Sequence, residues 1–326
     1  MKKNLILASS PLQVINALEA IYYFKLKNIV FVLKFNKMIN NINQIEEQIK
    51  SLDDKIEIIR IHPVGGSKFF KYVNNIKNLN KYEYDKIILG EFGTFSRVLI
   101  ANLNKNKVLL VDDGTATIVD FEKTIKLNKI NKFNFRELRF LFYGLKINVK
   151  DKLNFFTYYD FEKLPDVEVI KNNLEYMRKD FVLNNIDYGS TIFILGQKEE
   201  IFEDKNEAKM FYSKVLNNFQ DKDIYYIPHR AESKKDIDDI IKFVGNNIKI
   251  LEINMPVERY FLDNGIYPKH VISHISTALT TTKILFPECT TNYIRIQKPN
   301  FNLSIMHYLD IIYDYFEKDN ILEIKL

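Results

Sequence analysis

Lys107-Val108-Leu109-Leu110-Val111-Asp112-Asp113-Gly114-Thr115 is the stretch from which the fold is read. Four apolar residues run directly into two carboxylates, a glycine and a hydroxyl. An unbroken apolar run suits a strand buried on both faces, as in a parallel sheet covered by helices. Gly114 permits the sharp turn where such a strand ends. Ligands of open α/β sheets lie just beyond the carboxyl ends of the strands, so Asp112 and Asp113 belong at the rim of a crevice. Adjacent carboxylates repel, so at least one is expected to hold its proton to higher pH and be available for proton transfer. Asp-Asp-Gly is also an ordinary polar turn, and both readings stand at this point.

Toward the N-terminus the chain alternates between two periods. Residues 4–8 read as a strand, followed by Ser9-Ser10-Pro11 and then Leu12, Ile15, Leu18, Ile21 and Tyr22 at helical spacing. Ser10 suits the N-cap and Pro11 the first helical position. The turn offers two hydroxyls and free backbone N–H groups, which suits an anion or a sugar, while simple capping accounts equally for Ser10. Gln13, in the first helical turn, reaches the same place. Further strands are expected at 29–33, 56–61 and 86–89, with helices at 42–52, 68–79 and 95–103. This is a parallel, doubly wound α/β layer. No G-x-G-x-x-G follows the first strand, which argues against a dinucleotide site of that kind.

Beyond the Asp-Asp-Gly turn the character changes. Lysines and arginines at 123, 126, 129, 132, 136, 139, 146, 150 and 152 face only three acids, with aromatics interleaved. Phe135, Leu138, Phe142 and Leu145 are helically spaced, so a basic helical insert is expected over 122–152. It reads either as an amphipathic helix packed on the domain, or forming a dimer contact, with a solvated basic face, or as a surface meeting anionic lipid or glycan. Nucleic-acid binding finds no accompanying recognition motif. Residues 151–188 read as an aromatic- and charge-rich connector with a helix near 169–181.

A second alternation starts with a strand at 191–195 that ends in Gly196-Gln197, with Glu199 beyond. Strands follow at 223–227, 248–251, around 271–272 and at 293–296, with helices at 237–244, 257–262 and 302–317. Two similar α/β halves imply two facing Rossmann-like domains with the site in their cleft. Four strand ends carry chemistry: Asp112-Asp113-Gly114, Gly196 to Glu199, Pro228-His229-Arg230 and Ser276-Thr277. Arg230 offers a forked donor set and His229 a titratable donor, both suited to phosphate. Ser276 and Thr277 can give hydroxyls and N–H groups to a phosphate or simply cap a helix. Glu199 also reads as a solvated acid at a helix start.

Composition narrows the classes. The 326 residues are 46% hydrophobic and 27% charged with net charge +5, an ordinary globular balance that permits an anionic substrate without demanding one. Cys289 is the single cysteine, which excludes an intrachain disulfide and a thiolate cluster. His270 and His274 flank a strand-like Val271-Ile272, and four residues of strand span roughly 13 Å, too far to share a metal; both read as structural. No apolar stretch is long enough for a signal sequence or a spanning helix, so a cytoplasmic setting is expected.

Taken in order, Ser-Ser-Pro-Leu-Gln at 9–13, Val-Asp-Asp-Gly-Thr at 111–115, Ile-Leu-Gly-Gln-Lys-Glu at 194–199, Ile-Pro-His-Arg at 227–230 and Ile-Ser-Thr-Ala-Leu at 275–279 resemble bacterial sialyltransferases. The resemblance is to glycosyltransferase family 52, the lipooligosaccharide sialyltransferases, with bacterial polysialyltransferases as relatives. It spans nearly the whole chain. It implies the GT-B fold: an acceptor domain over 1–155, a connector over 156–188, a CMP-donor domain over 189–300, and a terminal helix and tail over 301–326. It further implies inverting, metal-independent transfer of sialic acid from CMP-sialic acid to a hydroxyl of a cell-surface glycan, lipooligosaccharide or capsule, with no cofactor besides the donor substrate.

Residue by residue, Asp112 and Asp113 match the acidic-acidic-Gly motif that supplies a base, and His229 matches the histidine of a His-Pro motif. Ser276 and Thr277 match the phosphate-holding Ser-Ser/Thr motif, and Glu199 stands near an aspartate proposed as base. Gly196, Gln197 and Arg230 join the donor side; Ser9, Ser10, Gln13 and Gly114 the acceptor side. Two departures stand out. His229 is followed by Arg230 rather than proline, the literal His62-Pro63 lying in the wrong half, and Glu199 replaces aspartate. The resemblance favours a homodimer, and the insert suggests peripheral contact with the inner membrane. Alternatives are a GT-B enzyme for another CMP-activated nonulosonic acid or another nucleotide sugar, a polysialyltransferase, a non-catalytic glycan- or lipid-binding protein, and a nucleic-acid binder.

Overall fold

Leu5, Ile6, Leu7 and Ala8 are all fully buried, as a central parallel strand requires. The computed structural model describes the chain except residues 1, 51, 53–55, 63–67, 132–134, 180–188, 190, 205, 246–247, 298–307 and 326. It divides into two compact units, Met1–Tyr176 and Met177–Leu326.

The first unit holds strands β1 (Lys3–Ala8), β2 (Ile29–Lys34), β3 (Glu57–Ile61), β4 (Glu83–Leu89), β5 (Asn104–Val111), β6 (Leu153–Thr157) and β7 (Val169–Lys171). They form one sheet in the order β3-β2-β1-β4-β5-β6-β7. Every pairing is parallel; Ile6, for example, lies opposite Phe31 on one side and Ile88 on the other. Alternate residues feed two cores. Leu5 and Leu7 pack with Val98, Leu110 and Phe155 on one face, and Ile6 and Ala8 with Val14, Leu109 and Phe156 on the other. Each such Leu, Ile, Val or Phe side chain, fully buried, is worth about 1.5–3 kcal/mol against solvent. Strand order reverses between β1 and β4, so the switch point where ligands collect lies beyond Ala8 and Leu89.

Residues 156–171, expected as connector, instead complete this sheet. Phe155 and Phe156 are buried on opposite faces, and Asn154 ties β6 to its neighbours by donating to the Val108 carbonyl and accepting the Glu168 N–H. The helix expected near 169–181 is the edge strand β7 followed by a single short helix, Glu175–Arg178. The unit boundary therefore falls near 176 rather than 155.

The basic insert also differs. It contains a π-helical turn, Phe121–Ile125, and a short helix, Phe135–Leu141. Only part of the anticipated apolar stripe packs: Leu145 is buried in the core, whereas Phe135 is 78% and Phe142 88% exposed. The helix docks instead through Phe140, against Phe69 at 4.9 Å between ring centres, and through buried Glu137, which meets Arg97 at 3.5 Å. A glutamate of the insert that pairs with an arginine of another helix, Thr94–Asn102, is invisible to a count of apolar residues.

The second unit holds β8 (Thr191–Leu195), β9 (Asp223–Ile227), β10 (Lys249–Ile250), β11 (His270–Ser273), β12 (Thr290–Tyr293) and β13 (Leu322–Glu323), in the order β10-β9-β8-β11-β12-β13, again all parallel. Its switch point lies between β8 and β11. The strand expected at 293–296 starts earlier, at Thr290, and the tail adds β13 to the sheet. The terminal helix is described over Leu309–Lys318; the earlier part of its expected span lies outside the described residues.

Candidate active site

At the first switch point the helix Pro11–Phe24 begins as its sequence dictates. Ser10 is extended and its Oγ accepts the Gln13 N–H at 3.3 Å, with Pro11 opening the helix. This turns Gln13 back over the strand ends, where it is buried. Its Oε1 accepts the Ser9 N–H at 2.7 Å and the Ser9 hydroxyl at 3.0 Å, and its Nε2 donates to Asp113 Oδ1 at 2.6 Å. Gly90, directly after β4, makes room: a Cβ there would stand 2.7 Å from Gln13 Cβ. Ser9, Gln13 and Asp113 are thus one connected group, as the sequence expected, while Ser10 serves as the cap. Gly114 adopts φ 68°, and the Asp113 N–H donates to Thr117 Oγ1 at 2.7 Å, which fixes the turn into the helix Ala116–Asp120.

The two carboxylates have different fates. Asp112 is fully buried; its carboxylate accepts Thr157 Oγ1 at 2.5 Å and the Tyr158 N–H at 3.0 Å. Burial pushes its pKa up to about 7 against the opposing pull of those two hydrogen bonds. With no exposed surface it clasps β5 to β6, and it is not placed to meet an acceptor. Asp113 is partly exposed, so it is the one of the two that solvent reaches. Sequence reasoning missed Asp120. Burial, and then the charge of Asp113, push its pKa up to about 7. It lies one helical turn beyond Thr117, the residue that touches Asp113, and that spacing was the available signal. Asn16, one turn after Gln13, was also missed; it donates to the Asp112 carbonyl at 2.9 Å.

Beside this corner the first unit carries two cavities, of about 390 and 580 Å³, which share Lys34, Lys68 and Tyr72. Arg136 and Arg139 of the insert line one; Ser9, Lys37 and Glu91 line the other. Lys34 pairs with Glu91, the one acid of the lining, and the Arg139 guanidinium sits 4.3 Å over the Phe69 ring. The result is a basic, aromatic-walled groove that starts at Ser9.

In the second unit Gly196 ends β8 under converging groups. A Cβ there would lie 2.3 Å from Glu232 Oε2, 2.5 Å from the Tyr226 hydroxyl and 2.8 Å from the His229 nitrogen. The Glu232 carboxylate accepts the Tyr226 hydroxyl at 2.6 Å and also the His229 N–H. His229 Nδ1 accepts the Ala231 N–H at 3.1 Å, so the ring proton belongs on Nε2. Burial, with help from Arg230 and Lys198, lowers the His229 pKa to about 4. His229 is therefore a neutral donor at pH 7 rather than one titrating there. Arg230 is exposed. Across the switch point Ser276 Oγ accepts the Ala278 N–H at 3.2 Å, and Thr277 opens the helix Ala278–Leu285 without a side-chain capping bond. Gln197 is half-buried beside Gly196. Glu199 opens a 3-10 turn, Glu199–Ile201; its side chain lies outside the described residues.

His270 pairs with Asn292 at 2.7 Å and His274 is buried against the Ile294 carbonyl, both in the structural role their strand implied. Among the described residues no group of three His, Cys, Asp or Glu could hold a metal ion, and no helix is long and apolar enough to cross a membrane. A separate cavity of about 460 Å³ near β12 and β13 is lined by mixed charges, including Glu207, Lys214, Arg295 and Glu323, and by none of the expected donor residues.

A family model described as alpha-2,8-polysialyltransferase (POLYST) matches residues 2–295. No curated protein sequence matches. Among solved structures, the chain is similar to the GT-B domain of a Photobacterium damselae sialyltransferase, with TM-score 0.55 and 11% identity over 99% of this chain and 98% of that one. It is similar to S. aureus MnaA in a co-structure with UDP, with TM-score 0.59 and 10% identity over 99% and 84%. It is also similar to the 2,6-sialyltransferase of Photobacterium sp. JT-ISH-224 in a ternary complex with CMP and lactose, with TM-score 0.52 and 12% identity over 98% and 78%. At these identities the likeness is one of fold, and the fold is GT-B.

Proposed function

This chain belongs to the alpha-2,8-polysialyltransferase family and is a glycosyltransferase, and from that premise we propose that it moves sialic acid from CMP-sialic acid to a glycan hydroxyl with inversion and without a metal. The observation that carries the reading is Asp113, partly exposed at the first switch point and held by Gln13. Asp113 takes the proton of the acceptor hydroxyl, a step worth about 10²–10⁴-fold. The acceptor oxygen bonds to the anomeric carbon from the face opposite the phosphate. The bond from that carbon to the phosphate oxygen breaks, and CMP leaves with the electron pair. In the second unit the Nε2–H of His229, the Arg230 guanidinium and the Ser276–Thr277 turn receive the developing phosphate charge, which is often the largest contribution to such a rate. A structural neighbour that is a sialyltransferase holding CMP and lactose supports a cytidine donor and a sugar acceptor.

The basic groove favours an acidic acceptor. Lys34, Lys37, Lys68, Arg136 and Arg139 line it, with Glu91 as the one acid of the lining. Phe69 and Tyr72 add apolar wall to the same lining. An acceptor already bearing sialic acid fits this lining, which supports the polysialyl variant of the reaction. The exposed Phe135 and Phe142 beside those arginines support peripheral contact with an anionic membrane, where lipid-linked acceptors reside. The test is CMP release from CMP-sialic acid by purified protein, with UDP- and GDP-sugars as controls, followed by transfer to neutral and sialylated acceptors. CMP release with transfer to a sialylated glycan is the expected result; turnover of UDP-sugars alone would overturn the donor assignment.

A further inference from the structure

The least expected contact near the donor-side residues is made by Glu232. The loop after β9 runs Pro228-His229-Arg230-Ala231-Glu232 and ends at Ser233, which caps the helix Lys234–Val244 through a reciprocal bond with Asp236. A loop this short folds Glu232 back onto its own start. Its N–H donates to the His229 carbonyl at 2.8 Å, and its carboxylate takes the His229 N–H with one oxygen and the Tyr226 hydroxyl with the other. The main chain of His229 is therefore held at both its N–H and its carbonyl by a single residue. Gly196 has no side chain to fill the space where that carboxylate rests, and the Gly196 N–H is itself bonded to the Ile227 carbonyl at 2.8 Å. The Ala231 N–H then fixes the imidazole through Nδ1.

We propose that Glu232 is a positioning residue for His229: by pinning the His229 backbone over Gly196 it sets the direction and the tautomer of the imidazole that receives the donor phosphate. The proposal rests on the reading of His229 given above. A carboxylate accepting two good donors is a strong local restraint, since each charge-assisted bond outweighs a neutral one. A misplacement of about 1 Å at a reacting group can cost on the order of a hundredfold in rate. Glutamine at 232 can still accept from the His229 N–H while its amide N–H₂ donates to the Tyr226 oxygen, so the conservative variant preserves the arrangement and alanine does not.

Two measurements test this. In transfer assays Glu232→Ala is expected to lower turnover about a hundredfold, Glu232→Gln by less than about tenfold, and Glu232→Ala is expected to cause no further loss in a His229→Ala background. In NMR titrations without donor or acceptor, the His229 midpoint is expected to rise from about 4 toward the ordinary value of about 6.5 in Glu232→Ala, because a released loop rehydrates the ring. Among the described residues, the charged groups that act on that ring are Arg230 and Lys198, while Glu232 meets the His229 backbone. Tyr226→Phe, which removes one hydroxyl, is expected to move the midpoint the same way by a smaller amount, and it carries the test if Glu232→Ala does not fold. An unmoved midpoint, or an equal loss of turnover with and without His229, would overturn the proposal. The titration needs no sugar nucleotide, so its failure is separable from a failure of the CMP-sialic acid reading.

Discussion

At the end of β4 and at the end of β8 the chain uses the same device with different consequences. In each unit a glycine beside the switch point, Gly90 or Gly196, leaves space for one polar side chain, Gln13 or Glu232. In the first unit that side chain bonds directly to the carboxylate of Asp113. In the second it bonds to the main chain of His229 and leaves the ring to a neighbouring N–H. The difference matches the chemistry proposed for each site. A neutral amide donor orients the Asp113 carboxylate without neutralising its charge, which suits the base proposed there. A phosphate donor must keep its own N–H uncommitted, so the restraint falls on the backbone instead.

The comparison is sharpest at the groups themselves. Asp113→Asn is expected to lower kcat/KM by about 10²–10⁴-fold with the melting temperature nearly unchanged, whereas Asp112→Asn, which can accept only one of the two bonds from Thr157 and Tyr158, is expected to appear mainly as lost thermal stability. Equal activity losses with equal stability would erase the division between the two acids.

The glycines come next. Gly90→Ala and Gly196→Ala each place a methyl closer than 3 Å to fixed neighbours, and calorimetry is expected to show about 1–3 kcal/mol of destabilisation for each. Gly196→Ala is expected to move the His229 NMR midpoint while Gly90→Ala leaves it in place. A shift in both would end the claim that the two devices are local.

Smaller effects are expected in the groove. Arg136→Ala with Arg139→Ala is expected to raise KM for a sialylated acceptor about tenfold, an effect that shrinks in high salt, and to leave KM for a neutral acceptor alone. An equal rise for both acceptors would assign the arginines to packing, as the stacking of Arg139 on Phe69 also allows.

The smallest effect concerns pH. Asp120 has a folded pKa raised to about 7 against an unfolded value of about 3.9, so the folded state holds the proton over that window and stability falls as pH rises through it. Asp120→Asn is expected to lessen the fall of the melting temperature between about pH 4 and 7, Asp112 keeping its own share, and to gain on the order of 1 kcal/mol at pH 8. An unchanged pH slope would place the Asp120 carboxylate in water.

The sequence by itself determined the two parallel α/β layers, because strands buried on both faces must be written as apolar runs and their ends must carry glycine and polar residues. It also placed Ser9, Gln13, Asp113, Gly196 and His229 beside strand ends, since those residues follow closely on such runs. The extent of the first unit was hidden, because β6 and β7 lie in a stretch whose charges and tyrosines mask Phe155 and Phe156. Only the tertiary structure decided which of two adjacent aspartates is buried and that Glu232 folds back over Gly196. It likewise decided that the helix of the basic insert docks through a glutamate. Each of these depends on contacts between residues on different elements, where packing and paired hydrogen bonds, rather than any local pattern, choose the partner.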